Sequence, residues 1–394
     1  MTDPSPTPAR RPEEPDESVR YRCPTCGGTF PLGTPLWRCP HDRDPLDLTP
    51  GPGITPDEID RNEPSLWRYA AALRGAPRPP TTLGEGWTPL VDSAWHNRTV
   101  GLKLESLSPT GSFKDRGAAV MIAYLRSIGV RAIAEDSSGN AGAAVATYAA
   151  ASQLPCRIYV PATASPAKIL QIAASGAEVV RVEGSRQEVA EAARREAKSF
   201  FYASHNWQAL FLEGTKTLAY ELWEASGFRA PDSIIVPLGG GSSLLGCFLG
   251  FSELLARGQI TRLPRLFGAQ ALACAPIHTA WKAGANDLVR AASRPTIAEG
   301  IALPRPVRAK AILRAVRVSG GGTVAVEEEE IGPAVSQLAR QGFFVEPTSA
   351  VAAAGLSRLF DAGTIGPDER TVLVITGHGL KAVGSIGSLL GIGQ

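Results

Sequence analysis

Short apolar runs bounded by glycine-marked turns alternate along this chain with segments whose apolar residues return every three or four positions. The runs RAIAE, CRIYV, AEVVRV, DSIIVPL and TVLVIT are short and rich in branched residues, which predicts strands. AGAAVATYAAAS, PAKILQIAAS, SSLLGCFLGFSELLA and IGPAVSQLARQG carry the helical period. GLKLESL alternates like a further short strand, and after it Met121, Ile122, Leu125 and Ile128 share one helical face. Strand, turn and helix in this succession predict mainly parallel sheets covered by helices. No signature recurs with a period of about twenty to fifty residues, so a solenoid is excluded. The run Glu327 to Glu330 predicts a solvated helix start, where carboxylates suit the dipole.

Ahead of that pattern the chain is organised differently. Residues 1–20 mix proline with charge, lack an apolar signal-peptide core and read as a disordered tail, which makes the cytoplasm the default location. Residues 21–50 contain a compact unit, YRCPTCGGTFPLGTPLWRCPHDRDPLDL, similar to a zinc ribbon. Its thiols are Cys23, Cys26 and Cys39, and a tetrahedral site would take its fourth ligand from His41 or Asp42, because a second Cys-x-x-Cys fails at Asp42. The competing reading is a knuckle that has lost its metal and is held by packing. A closed shell leaves no coordination position for catalysis, so the unit is structural in either case. A proline-rich linker, 51–80, with a helical piece near Leu66 to Leu73, leads into TLGEGWTPLV.

With 394 residues, 44% of them hydrophobic, the chain can bury large cores in two or three domains. Its net charge of +2 is scattered, which argues against nucleic acid as a partner, and no segment reads as a membrane span. Cys156, Cys247 and Cys274 lie dispersed in apolar stretches, unlike a disulfide framework.

Chemistry concentrates at the turns. SPTGSFKDRG sets Lys114 where a strand gives way to a helix; taken alone, the same lysine also reads as a solvated side chain near a helix start. There the dipole disfavours an ammonium and desolvation adds to the effect, which populates the neutral amine that attacks an aldehyde. After RAIAE, the loop Asp136, Ser137, Ser138, Gly139 and Asn140 offers two hydroxyls and a carboxamide as donors at a helix start, and taken singly it also reads as capping and turn chemistry. After SIIVPL, the loop Gly239, Gly240, Gly241, Ser242 and Ser243 forms a phosphate cradle. It is no dinucleotide fingerprint, since the third glycine of that pattern falls on Leu244, and Gly-Lys-Ser/Thr is missing too. TVLVI ends at Thr376, whose hydroxyl stands at a strand's carboxyl end, where open parallel sheets bind ligands, or else caps the next helix; His378 reads as a loop residue.

Taken in order, TLGEGWTPL, SPTGSFKDRG, SSGNAG, VPLGGGSS, AEGIALPRP, EPTSA and ITGHGLK resemble the threonine synthase group of fold-type II pyridoxal-phosphate enzymes over about residues 81–381. The resemblance implies an α/β, two-domain fold. Its large domain would combine 81–117 with 217–390, and a small mobile domain, 118–216, would close over the substrate. It further implies that Lys114 carries pyridoxal 5'-phosphate as a Schiff base and that Asn140 meets the ring hydroxyl. Gly239 to Ser243 would hold the phosphate, Thr376 the ring nitrogen, and Ser137 and Ser138 the carboxylate of a small amino-acid substrate. Relatives of this kind pair as homodimers. The reaction implied is conversion of O-phospho-L-homoserine and water to L-threonine and phosphate, with beta-elimination or beta-replacement on serine, threonine, phosphoserine or a related amino acid as the alternative. Two departures bear on that choice: Ser108 replaces an asparagine common in the group, and Phe211 stands where many threonine synthases place a phosphate-binding arginine, with Lys216 as a substitute point charge. A protein-binding adaptor on an inactive scaffold is the competing class, and the intact Lys114, Asn140, glycine loop and Thr376 count against it.

Overall fold

The computed structural model describes residues 18–79, 82–164, 166–196 and 199–392. The tail expected over residues 1–20 lies mostly outside the described residues, and its last residue, Arg20, already opens a strand. Three sheets organise the chain. A small antiparallel one joins β1 (Arg20–Arg22), β2 (Thr29–Pro31) and β3 (Asp47–Leu48) in the order β2-β1-β3. The linker that follows carries its helical turn at Leu66–Ala72, as a 3-10 helix.

The largest sheet is built from β4 (Leu90–Trp95), β5 (Arg98–Lys103), β10 (Ser233–Pro237), β11 (Arg265–Ala271), β12 (Gly322–Val326) and β13 (Thr371–Val374). The order is β12-β11-β10-β13-β5-β4, parallel throughout except for the edge hairpin of β4 and β5. The other sheet, all parallel, takes β6 (Ile133–Glu135), β7 (Cys156–Pro161), β8 (Glu178–Val182) and β9 (Phe201–Tyr202) in the order β8-β7-β6-β9.

Helices on both faces explain the continuous apolar strands. Every residue of β10 and β13 is buried, which a half-exposed strand would not tolerate. The helix Pro347–Asp361 packs small residues on the large sheet, with Gly355 beside Ile235, Ala269 and Val324. GLKLESL proves to be two elements: the strand stops at Lys103, and Glu105–Leu107 forms a 3-10 turn whose Ser106 amide donates to the Ile375 carbonyl at 3.0 Å. The acidic run does open a helix, Glu328–Arg340, where Glu330 Oε2 accepts from the Glu327 amide at 2.7 Å.

A buried ion cluster fixes the start of the helix Lys114–Ser127. Arg116, 0% exposed, donates bidentately to Glu105 at 2.6 and 2.6 Å and to Glu221 at 2.5 and 2.7 Å, and its Nη1 also reaches Thr217 Oγ1 at 3.0 Å. Lys103 on β5 donates to the same Glu221 at 2.7 Å. Burial penalises every charge here, but Arg116 and Lys103 together keep Glu221 below the usual carboxylate range. Arg116→Met strands two carboxylates without their main counter-charge and should cost about 3–5 kcal/mol of stability. Urea unfolding checks this, and a loss under about 1 kcal/mol would show the cluster to be dispensable.

Candidate active site

The carboxyl ends of the two parallel sheets face one cleft of about 780 Å³. Its lining includes Lys114, Ser137, Ser138, Asn140, the whole Gly239 to Ser243 loop and Thr376, so residues spread over more than 260 positions of sequence border a single space. The cysteine trio lies elsewhere, in the N-terminal sheet unit.

Backbone hydrogen bonds explain the convergence. β13 lies between β5 and β10, so the loops after all three emerge side by side. The Phe113 amide donates to the Thr376 carbonyl at 3.0 Å and the His378 amide to the Gly111 carbonyl at 3.0 Å, which stitches the lysine turn to the threonine turn. Lys381 Nζ adds a bond to the Thr110 carbonyl at 2.9 Å.

Lys114 is the first residue of its helix, and its Nζ stands 3.4 Å from Ser242 Oγ and 5.6 Å from the Phe211 ring centre. Desolvation by the surrounding protein outweighs the attraction of Glu135 and brings the amine down to about 8. The glycine loop closes on a helix N-terminus. Gly241 adopts φ +84 directly before the helix Ser242–Ala256, and a Cβ on Gly240 would run into Asn206 Oδ1. Ser243 Oγ is buried in that loop with no hydrogen-bond partner among the described residues, an orphan donor of the kind an anion would satisfy.

Asn140 opens the helix Asn140–Ala151 and donates to both oxygens of Glu346 at 3.1 and 3.0 Å. Burial pushes the Glu346 carboxyl up, and the Asn140 amide opposes that rise. Thr376 Oγ1 lies 3.0 Å from Ser349 Oγ, which already accepts from the amides of Thr376 and Gly377 at 3.0 and 3.1 Å. With those lone pairs taken, Ser349 Oγ acts as a donor, and its acceptors are Thr376 Oγ1 and, at 3.4 Å, the Gly377 carbonyl; donation to Thr376 frees the Thr376 proton for an acceptor in the cleft. Ser137 is buried and accepts from the Gly139 amide at 3.3 Å; Ser138 is half-exposed beside it.

Four further residues of the site carried no role in the sequence reading. Glu346 sits in EPTSA, where a carboxylate before proline reads only as a helix start. Glu135 ends β6 and looks like strand. It hydrogen-bonds the ring of His205, which lines the cleft, at 2.7 Å, and accepts that residue's amide at 3.0 Å. Burial pushes Glu135 up to about 8, so its carboxylate ionises in the same range as the Lys114 amine, and burial holds His205 well below its ordinary value, which favours the uncharged ring. Arg186 stands exposed at the cleft, with no local pattern to mark it.

Phe211 is fully buried and packs edge-on to His205, with ring centres 5.7 Å apart. Lys216 does not replace the missing arginine. It is 0% exposed and committed to Glu213 at 2.7 Å and Glu253 at 3.0 Å, away from the cleft lining, because a buried ammonium needs fixed counter-charges.

The comparisons with known proteins agree with this arrangement. A family profile described as "Pyridoxal-phosphate dependent enzyme" matches residues 81–377. Threonine synthase of Methanosarcina acetivorans is 33% identical over 371 residues, covering 91% of this chain and 91% of that protein. Threonine synthase of Methanocaldococcus jannaschii is 33% identical over 377 residues, covering 91% and 92%. For Mycobacterium tuberculosis threonine synthase the identity is 34%, covering 77% and 84%. Among solved structures, threonine deaminase isoform 2 from Solanum lycopersicum superposes with a TM-score of 0.67 at 21% identity, covering 87% of this chain and 96% of that one. Maize serine racemase gives 0.65 at 22%, covering 74% and 88%. These likenesses establish the fold-type II architecture.

Glu135 is the carboxylate that most raises the proton affinity of Lys114, so Glu135→Gln should lower the apparent pKa of that amine below about 8. The pH dependence of Lys114 acetylation in cofactor-free protein, followed by mass spectrometry, measures it. A rise would contradict the assignment.

Proposed function

The chain belongs to the pyridoxal-phosphate dependent enzyme family, and we propose that within it this protein is a threonine synthase-like lyase that converts O-phospho-L-homoserine and water to L-threonine and phosphate. The single observation that carries the reading is the meeting of Lys114, Asn140, the Gly239 to Ser243 loop and Thr376 in one cleft, in a chain that aligns with threonine synthases over 91% of its length.

The residues present fit the cofactor. Lys114 would hold its aldehyde carbon, Asn140 its ring hydroxyl, Gly239, Gly240, Gly241, Ser242 and Ser243 its phosphate, and Thr376 its ring nitrogen. The orphaned Ser243 hydroxyl and the left-handed Gly241 before a helix N-terminus support the phosphate end. Bound there, pyridoxal phosphate supplies an electron-withdrawing ring that acidifies the substrate's Cα–H. A hydroxyl rather than a carboxylate at Thr376 favours an uncharged ring nitrogen, which suits elimination and replacement more than transamination.

Lys114 is both anchor and base. An amine at about 8 is easily stripped of its proton near neutrality, so it can take the Cα proton and return it at the neighbouring carbons. Ser137 and Ser138 would grip the substrate carboxylate at the start of the Asn140 helix. His205, beside Lys114 and backed by Glu135, keeps an uncharged imidazole in the same cleft. The lobe of residues 118–216 would close on the lobe formed by 81–117 and 217–390 and exclude water from the reacting carbons.

One observation favours a second reading, elimination on an unphosphorylated hydroxy amino acid. The side chain at 211 is a buried ring, which leaves Arg186 as the exposed arginine among the cleft-lining residues. Offering O-phosphohomoserine, serine, threonine and phosphoserine in parallel separates the two. The leading reading gives threonine and phosphate in equal amounts, abolished by at least ~10³-fold in Lys114→Ala. Arg186→Gln then raises KM for the phosphorylated substrate about tenfold. Keto acid from serine or threonine, with no threonine from O-phosphohomoserine, would overturn the leading reading.

A further inference from the structure

The N-terminal unit gathers three sulfurs and a carboxylate at one point. The ligand atoms of Cys23, Cys26, Cys39 and Asp42 all lie within 4.8 Å of one another. Cys26 Sγ is 3.7 Å from Cys39 Sγ, and Cys23 Sγ is 3.1 Å from Asp42 Oδ2. A disulfide would bring two sulfurs to about 2.05 Å. Sulfurs sharing a tetrahedral zinc at ~2.3 Å stand ~3.8 Å apart, which is the spacing found between Cys26 and Cys39.

The local backbone is shaped for the same purpose. The amides of Cys26 and Gly28 point at Cys23 Sγ and Cys26 Sγ at 3.5 and 3.4 Å, contacts that fix where the two sulfurs lie. Gly27, at φ +72, supplies the left-handed step that turns the chain after Cys-x-x-Cys. On the other side Asp42 Oδ1 accepts from the Asp44 amide at 2.9 Å, which orients the carboxylate and leaves Oδ2 toward the sulfurs. His41 is exposed, edge-on to Phe30 with ring centres 5.3 Å apart; its Nδ1 comes to 3.8 Å from Cys26 Sγ, but it does not belong to the group whose ligand atoms all converge within 4.8 Å. Of the two fourth ligands that the sequence leaves open, the geometry therefore favours Asp42.

We propose that Cys23, Cys26, Cys39 and Asp42 bind one zinc ion as a closed structural site. Four protein ligands leave no position for substrate, and the unit stands outside the cleft, so its work is mechanical. Tyr21 and Tyr124 join the unit to the Lys114 helix through a 2.7 Å hydroxyl pair, and Tyr124 also donates to the Leu32 carbonyl at 2.6 Å. Arg308 clasps it from the opposite side, reaching Asp47 at 2.6 Å and the Leu46 carbonyl at 2.8 Å. Holding the knuckle shut keeps both attachments in register.

Metal analysis of the full-length, cofactor-loaded protein tests this. The expected result is about one zinc per chain, released by a mercurial that titrates thiolates. Cobalt substitution should produce thiolate-to-cobalt charge-transfer absorption. Cys26→Ser, at an exposed position, and Asp42→Ala should each lose most of the zinc and unfold at lower temperature while retaining bound pyridoxal phosphate; His41→Ala should keep the zinc. Folded wild-type protein with under ~0.1 zinc per chain from zinc-supplemented cells would overturn the site. Loss of zinc in His41→Ala with retention in Asp42→Ala would overturn the ligand set. None of these outcomes depends on the reaction proposed above, which stands or falls on its own assay.

Discussion

A single buried guanidinium governs where the chemistry of this protein can happen. Arg116 follows Lys114 by two residues and is saturated by Glu105 and Glu221, so the first turn of the Lys114 helix cannot rotate or slide without stranding charge in the interior. Glu221 in turn accepts from the Trp87 amide at 2.6 Å and from Lys103, which ties the TLGEGWTPL segment and the large sheet to the same point. The amine that the proposed reaction depends on is thereby carried by a rigid mount and left free only at its tip.

Around that tip the cleft is arranged to keep charge low. Glu135, Glu346 and His205 are all shifted toward their neutral forms by burial, and Lys114 is shifted toward its free amine. Such an environment is costly for a folded protein, since each group would prefer water, and that cost is what makes proton transfer near neutral pH accessible. The Asn140–Glu346 and Glu135–His205 pairs satisfy the hydrogen bonds that desolvation leaves behind. The cleft also spans two sheets, so its polarity is set by residues from both.

Much of this was legible in the sequence because the signals were local. A lysine after a glycine turn, a triple glycine after a branched apolar run and a threonine at the end of another are each short patterns, and the elements holding them formed where periodicity placed them. What the sequence hid was either irregular or long-range. RLFGAQA in β11 has no β-branched residue, and β9 is two residues long. Glu135 and His205 are 70 positions apart, and only the pairing of β6 with β9 brings them together. Lys216 carries no mark of its buried partners, since Glu253 comes from a different helix. Whether His41 or Asp42 joins the cysteines is set by the local path of the chain after Cys39, which the spacing alone leaves open.

Arg308 touches four separate groups: Asp47 and the Leu46 carbonyl of the N-terminal unit, and the carbonyls of Asn206 and Trp207 beside the cleft, the last two at 3.3 and 2.8 Å. It thus knots three stretches of chain at one spot, behind the very loop that presents His205. A rigid-body opening that preserves those bonds must turn about an axis passing close to this guanidinium, as a door turns on its pin. The glycine loop, whose Gly240 lies against Asn206, then sits close to that pivot.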